Sequence, residues 1–403
     1  MVMTVSVIMY KRLGITNADI TLYTGWLYLP WVIKPFWSPI VDILKTKRFW
    51  IVGMQLIIGA ALAGVALTIP GPGFFKWSLA FFWLMAFSSA THDIAADGFY
   101  MLAIDDSNQA WFVGIRSTFY RLAMISGQGF LVMLAGYLEG SLGNIAQAWS
   151  LTIGISSGIF LLFMIYHKWA LPRPISDQPA AQASAKSVFT EFGLTFVSFF
   201  KKPAIGTAIA FILLYRFSEA QLVRVAQLFM LDSLEVGGLG LSTSEVGFVY
   251  GTVGLASLTL GGLLGGFLAS RNGLKYWLWP MVIAINVPNL VYVFLSAFQP
   301  ESALVIQGAV AIEQFGYGFG FTAFMLYMIS IVDGPHKTAH FAICTGFMAL
   351  GMMLPGQASG TIQELLGYQN FFIWILIATI PGFFVASRVK IDPLFGKAEK
   401  STT

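Results

Sequence analysis

A single cysteine, Cys344, stands in 403 residues. It excludes a disulfide framework and any thiolate metal cluster. Charge is scarce too: Asp, Glu, Lys and Arg make up 10% of the chain, where soluble proteins carry about 25%. There are four histidines. His336 and His340 are spaced to share a helix face, but with no third ligand in view they read as interfacial residues at a helix start rather than a metal site. The chain contains no phosphate-binding loop, no HExxH and no serine nucleophile elbow. An enzyme is therefore not expected, nor is a cofactor or a nucleic-acid partner. The opening run also lacks the basic flank and small-residue cleavage site of a removable signal peptide.

What is present is apolar. Hydrophobic residues make up 57% of the chain and its mean hydropathy is +0.75, so the fold class expected is all-α and polytopic in a lipid bilayer. Segments of the roughly 20 residues needed to span fall at 18–41, 49–69, 76–103, 109–138 and 147–167, then at 203–231, 244–268, 275–297, 302–330, 337–363 and 369–389. An apolar stub, Met1–Tyr10, precedes them. At about 15 Å it is half the hydrocarbon thickness and cannot cross alone. Fifteen Lys and Arg lie in one set of loops, and only Lys11, Arg12 and Lys76 in the other. The positive-inside rule assigns the richer set, the 168–202 loop and the C-terminus to the cytoplasm.

The chain repeats itself. Gly14-Ile-Thr-Asn-Ala-Asp-Ile-Thr-Leu-Tyr-Thr-Gly25 resembles Gly240-Leu-Ser-Thr-Ser-Glu-Val-Gly-Phe-Val-Tyr-Gly251, 226 residues on. Parallel six-helix repeats are the hallmark of major-facilitator transporters. The loop Gly266-Phe-Leu-Ala-Ser-Arg-Asn-Gly-Leu-Lys275 resembles that superfamily's Gly-x-Leu-x-Asp-Arg-x-Gly-x-Lys signature, with Ser270 replacing the Asp. In the first half Asp42 and the cluster Lys45, Lys47 and Arg48 remain of it. Asp42, Arg271 and Lys275 are thus the gating-loop candidates. The expected architecture is two six-helix bundles, residues 1–167 and 203–389, with a cytoplasmic linker at 168–202 and a tail at 390–403. The repeat places the counterpart of the helix starting near Pro203 about 23 residues before Met1. The chain is accordingly expected to start late, at an internal methionine, with its first helix truncated.

Nine ionisable residues fall within the predicted spans: Lys34, Asp93, Asp97, Arg116, Arg121, Arg216, Glu219, Arg224 and Glu313. Charges at that depth are expensive and usually mark a substrate or ion path. Cations outnumber carboxylates, which favours an anionic cargo. Four of them lie in one hairpin about the polar turn Asp105-Asp106-Ser107-Asn108. Asp93 and Arg121 stand equally far from that turn, as do Asp97 and Arg116, so two carboxylates are expected to face two guanidiniums. The plainer alternative is that these pairs only hold helices together. Lys34 lies at a similar depth to Asp97 and is expected to join that network. Arg216 and Glu219 are spaced to share a helix face. Glu313 has no cation within four residues, and a buried carboxylate so placed is costly to keep charged, which suits a proton carrier. Pairing with Arg216 or Arg224 is the alternative. Glu219 and Asp93 are the next proton-coupling candidates. The glycine pairs Gly261/Gly265, Gly262/Gly266 and Gly316/Gly320 read as close-packing positions.

Further runs carry a closer resemblance. Lys34-Pro-Phe-Trp-Ser-Pro-Ile-Val-Asp42, Ser89-Ala-Thr-His-Asp-Ile-Ala-Ala-Asp97, Tyr120-Arg-Leu-Ala-Met124, Leu214-Tyr-Arg-Phe-Ser-Glu219, Glu313-Gln-Phe-Gly-Tyr-Gly-Phe-Gly320 and His340-Phe-Ala-Ile343 together resemble AmpG-type muropeptide permeases. The matches run in order over nearly the whole chain. Gly98-Phe99 departs from the Ala-Trp that often follows in that family, and two additional C-terminal helices of some members are missing. The resemblance implies a monomeric, multi-pass inner-membrane transporter that imports anhydromuropeptides, anionic glycopeptides, together with protons for peptidoglycan recycling. Substrate contacts are expected from Lys34, Asp93, Asp97, Arg116, Arg121 and Arg216. The alternatives are a carrier of another amphiphilic anion, such as a coenzyme A ester, and a non-transporting membrane receptor.

Overall fold

The computed structural model describes residues 3–103, 118–175, 177–178, 185–332 and 337–397, with the backbone alone at 42, 101–103, 185–192 and 337–338. Every long described element is helical. The first half holds α1 (Val5–Arg12), α2 (Asn17–Trp26), α3 (Leu29–Leu44), α4 (Lys47–Thr68), α5 (Phe74–Ala103), α6 (Thr118–Leu142) and α7 (Ile145–Ala170). A connecting helix, α8 (Ala185–Phe200), leads to α9 (Ile205–Leu231), α10 (Thr243–Asn272), α11 (Leu274–Phe298), α12 (Ala303–Ser330), α13 (Lys337–Ile377) and α14 (Ile380–Arg388).

Six of these stretches are long and apolar enough to cross a bilayer, or seven if the bent pair α8–α9 counts as one span. The shortfall against the eleven expected has physical causes. The stretch Ala339–Arg388 is two spans, because Gly367 (φ +72°, ψ +167°) breaks the helix inside it. Helices α2 and α3 split one span into pieces of 10 and 16 residues. Helices α5 and α12 are long, at 30 and 28 residues, but carry the polar residues His92, Asp93 and Asp97, or Glu313 and Gln314.

The sequence repeat is a helix-entry device used twice. Gly14 and Gly240 take left-handed φ of +83° and +64°, a conformation that favours glycine. Thr16 and Ser242 then cap α2 and α10, their hydroxyls accepting from the backbone N–H of Asp19 and Glu245. At Ser242 the Glu245 side chain accepts back from the cap's own N–H, completing a capping box.

Packing is tight where glycine permits it. A Cβ at Gly318 would lie 1.9 Å from the Leu258 carbonyl oxygen, and one at Gly261 2.1 Å from that of Phe315, so α10 and α12 approach backbone to backbone. Apolar burial gives little drive between helices in lipid, so such close contact supplies the association. Of the six glycines expected at close contacts, Gly261, Gly265, Gly316 and Gly320 are; Gly262 has ordinary spacing and Gly266 faces open space.

The halves meet unequally. The largest cluster of buried apolar residues joins both, bringing Tyr10, Leu62, Phe82 and Trp149 together with Phe229, Tyr292 and Phe371. It lies toward the cation-poor end. Toward the cation-rich end the core divides into one cluster drawn from residues 199–386 and a small one around Val41, Ile51 and Phe99. Two wide π-turns, Ser126–Phe130 in α6 and Val249–Gly254 in α10, face each other between these regions. There Gly251 has no room for a side chain, since a Cβ would lie 2.0 Å from the Gln128 carbonyl oxygen. Its repeat partner Gly25 is equally pressed, 2.4 Å from the Gln357 Cγ.

Candidate functional site

In the first half, Pro30 in the first turn of α3 restarts the helix after Tyr28, and Pro35 and Pro39 follow within it. Lys34, between them, reaches across to α5, where its Nζ lies 2.6 Å from Asp93 Oδ2. The expected Asp93–Arg121 pair is not formed. Equal depth brings two residues together only on regular helices, and the π-turn at Ser126–Phe130, by adding a residue to one turn, rotates the part of α6 before it, where Phe119, Tyr120 and Leu122 are exposed. Tyr120 is in electrostatic contact with Asp93. Asp97 lies one turn beyond Asp93 and is half-buried. Arg116 lies outside the described residues, and with it the expected pair with Asp97. Behind Asp93, Gln55 bridges two histidines, its Nε2 3.3 Å from His92 Nε2 and 2.9 Å from His167 Nδ1.

In the second half, α9 breaks where Arg216 takes φ −109°, ψ +24° and caps the segment Phe217–Leu231. Arg216 and Glu219 therefore do not share a regular helix face, as expected from their spacing. The Arg216 guanidinium is buried in an aromatic cage on α12, 5.1 Å from the Tyr317 ring centroid and 4.8 Å from that of Phe321. It also donates to the Tyr317 hydroxyl. Such a cage holds a cation without neutralising it. Glu219 and Glu313 are both almost fully buried and in electrostatic contact with each other. Glu313 Oε2 accepts from Gln314 Nε2 at 3.0 Å and from the Tyr292 hydroxyl at 3.3 Å. Among the described residues neither oxygen of Glu219 has a hydrogen-bond partner. No cation lies within ion-pairing distance of either carboxyl among the described residues, so Glu313 pairs with neither Arg216 nor Arg224. Tyr28, at the α2–α3 break, stands between the halves in electrostatic contact with Tyr120 on one side and Tyr317 and Arg224 on the other.

The cation-poor end is sealed by polar contacts between the halves. Asp232, capping the end of α9, accepts from Lys11 Nζ at 2.6 Å, from Asn17 Nδ2 and from the Tyr368 hydroxyl. Glu139 of α6 receives Arg12, the Trp149 Nε1 at 2.8 Å and the Thr243 hydroxyl at 2.7 Å. Asn17 also donates to Gln363, and Gly360 N–H to the Thr21 hydroxyl. Sequence reading missed this seal. In the sequence Lys11 and Arg12 read only as loop charges, and the signal that pairs them is two carboxylates, Asp232 and Glu139, at span ends level with them.

The gating-loop candidates lie at the opposite end. Arg271, in the last turn of α10, stacks on Phe267 at 4.4 Å. Gly273 (φ +85°) turns the chain into α11, where Lys275 is exposed. The Leu274 N–H donates to the Phe395 carbonyl, which folds the tail back onto this turn. Asp42 lies near the end of α3, and its side chain is outside the described residues, as is all of His336. His340 packs against α8, its Nε2 2.9 Å from the Ser198 hydroxyl.

Residues 1–356 match the family model described as Major Facilitator Superfamily. Among curated proteins, the chain is 25% identical to Putative transporter AmpG 4 of Rickettsia conorii, over 93% of this chain and 89% of the relative. It is 24% identical to the Anhydromuropeptide permease of Escherichia coli, over 87% and 69%. These relatives bear out the AmpG-type resemblance. Among solved structures, a bacterial homologue of the human lysosomal transporter Spinster, in an inward-facing and occupied conformation, superposes with a TM-score of 0.71 at 16% identity, covering 96% of this chain and 94% of that one. A D-xylose–proton symporter gives 0.68 at 11% identity, covering 99% and 95%. These structures share the fold.

Proposed function

Because the chain belongs to the major facilitator superfamily and is a multi-pass secondary transporter of that fold, we propose that it imports anhydromuropeptides together with protons by alternating access. The observation that carries this reading is the polar band between otherwise apolar halves, partly exposed at Lys34–Asp93 and buried at Arg216, Glu219 and Glu313. Lys34–Asp93 and Tyr28 line it on one side, with Arg216, Glu219 and Glu313 on the other. Its cations suit a cargo that bears carboxylates, and the similarity to the Escherichia coli permease supports this cargo class.

The sealed end is the outer one and the divided end the cytoplasmic one, in line with the Lys and Arg bias. The conformation is then inward-facing, with the C-terminus in the cytoplasm and the protein working as a monomer in the inner membrane. Residues 1–167 and 203–389 form the two rocking bundles, 168–202 the linker and 390–403 the tail. Lys34, Asp93, Asp97, Arg116, Arg121 and Arg216 contact the cargo. Asp42, Arg271 and Lys275 belong to the loops that close the cytoplasmic side. Glu313, backed by Glu219 and Asp93, takes the co-transported proton. Two buried carboxyls in electrostatic contact, with Arg216 acting on Glu219, favour a proton held at Glu313. The test is uptake of labelled anhydromuropeptide into vesicles with and without a proton gradient. Uptake should rise with the gradient. Indifference to the gradient refutes coupling, and no uptake refutes the cargo.

A further inference from the structure

We propose that Arg224 binds a carboxylate of the cargo, and that the first half of the protein displaces that carboxylate by competing for the same guanidinium. The inference rests on the cargo reading above and adds a residue to it. Arg224 belongs to α9 in the second half and is 3% exposed. Among the described residues its side-chain hydrogen bonds run to the first half: Nη1 donates to the Met3 carbonyl at 3.2 Å and to the Thr24 hydroxyl at 3.1 Å. Its face lies on the Tyr28 ring, 5.0 Å from the centroid. Nη2 has no hydrogen-bond partner, and no carboxylate lies within ion-pairing distance among the described residues.

A guanidinium buried without a counter-charge is costly. Structural arginines in such settings are met by a carboxylate, whereas Arg224 is met by two neutral acceptors and a ring. Gly356 on α13 packs over it: a Cβ there would lie 3.1 Å from the Ala220 carbonyl oxygen and in ordinary contact with the Arg224 Cγ and Nε, at 3.4 and 3.5 Å. It stands two turns beyond Arg216 toward the sealed end, directly beneath the contacts that close it.

That location makes its partners conditional. Met3 and Thr24 move with the first half, so any opening of the sealed end pulls both acceptors away and frees the fork. A carboxylate entering from that side replaces them with a charge-assisted, two-pronged contact. When the halves close again, the carbonyl and hydroxyl return to Nη1 and the anion is released toward the cytoplasmic side. One residue thus reports closure of the outer end to the cargo.

The test is equilibrium binding to the purified full chain of an anhydromuropeptide with free carboxylates, and of the same molecule with its carboxylates methyl-esterified. Wild type should prefer the free acid by about 10- to 100-fold. Arg224→Gln should lose most of that preference with ester affinity unchanged, and Arg224→Lys should lose about half of it on a logarithmic scale. Thr24→Val, which removes a competing acceptor and leaves Arg224 intact, should tighten free-acid binding several-fold. A purely structural Arg224 predicts undiminished preference in any variant that folds and no gain for Thr24→Val, and either result overturns the inference while the cargo reading stands. Failure of wild type to bind either molecule overturns both.

Discussion

Asp232→Asn should shift the resting protein toward a state open at the sealed end. The carboxylate joins the halves through Lys11, at 2.6 Å, and through Asn17, while its contact with Tyr368 stays within the second half. The Lys11 and Asp232 side chains are 18% and 17% exposed, so their pair falls between an exposed one, at about 0–1 kcal/mol, and a buried one whose rupture costs about 3–5 kcal/mol. A loss of about 2 kcal/mol follows, or about 30-fold in the ratio of open to closed. A resting ratio of about 1:99 would become about 1:3. Electron–electron distance measurement reads this directly, with nitroxides at Lys76→Cys and Glu301→Cys, two exposed sites at the sealed end on opposite halves. Cys344→Ala supplies the thiol-free background, since Cys344 is the chain's one cysteine. A longer-distance population should emerge with Asp232→Asn and with Lys11→Met, and the double variant should add little. An unchanged distance distribution, or full additivity of the two changes, would refute the reasoning.

Glu313→Gln should abolish the dependence of uptake on a proton gradient while leaving exchange of labelled for unlabelled cargo intact, as counterflow assays would show; gradient-driven uptake at the wild-type level would remove Glu313 from the coupling step. Gly318→Ala should destabilise by about 2–3 kcal/mol or more, because the added methyl meets the Leu258 carbonyl at 1.9 Å, whereas Gly266→Ala, in open space, should leave the unfolding temperature unchanged. A double-mutant cycle of Lys34→Met and Asp93→Asn should return a coupling of about 1 kcal/mol in denaturation, modest because Asp93 is 41% exposed. A coupling of zero there would mean the pair forms no effective link between α3 and α5.

The helices were legible because hydropathy runs and breaks are local: the span expected at 203–231 is α9, at 302–330 it is α12, and Gly14 and Gly240 announce the two helix entries. Individual partners were not, because they depend on rotations that composition does not encode. Asp93 goes to Lys34 rather than Arg121 through a single π-turn in α6 and a proline restart in α3. Arg216 turns to an aromatic cage because α9 breaks at that residue. Asp232 and Glu139 escaped notice since a carboxylate at a span end looks like ordinary loop polarity until its partner, 221 or 127 residues away in the chain, is placed beside it.

The glycines at 25 and 251 have a mechanical meaning. Both lie where the halves press together, Gly25 against Gln357 and Gly251 against Gln128, and Gly136 against Ser244 and Gly360 against Asn17 continue the same close contact. Under the rocking proposed above, these contacts are the bearings on which the halves turn. Motion on them needs no soft segment, since each half can stay rigid and roll on the other, opening one rim as it shuts the opposite one. A methyl at either position acts as a wedge under one edge of the seesaw. Stiffness and tilt become separately adjustable by single substitutions that touch neither charge nor cargo.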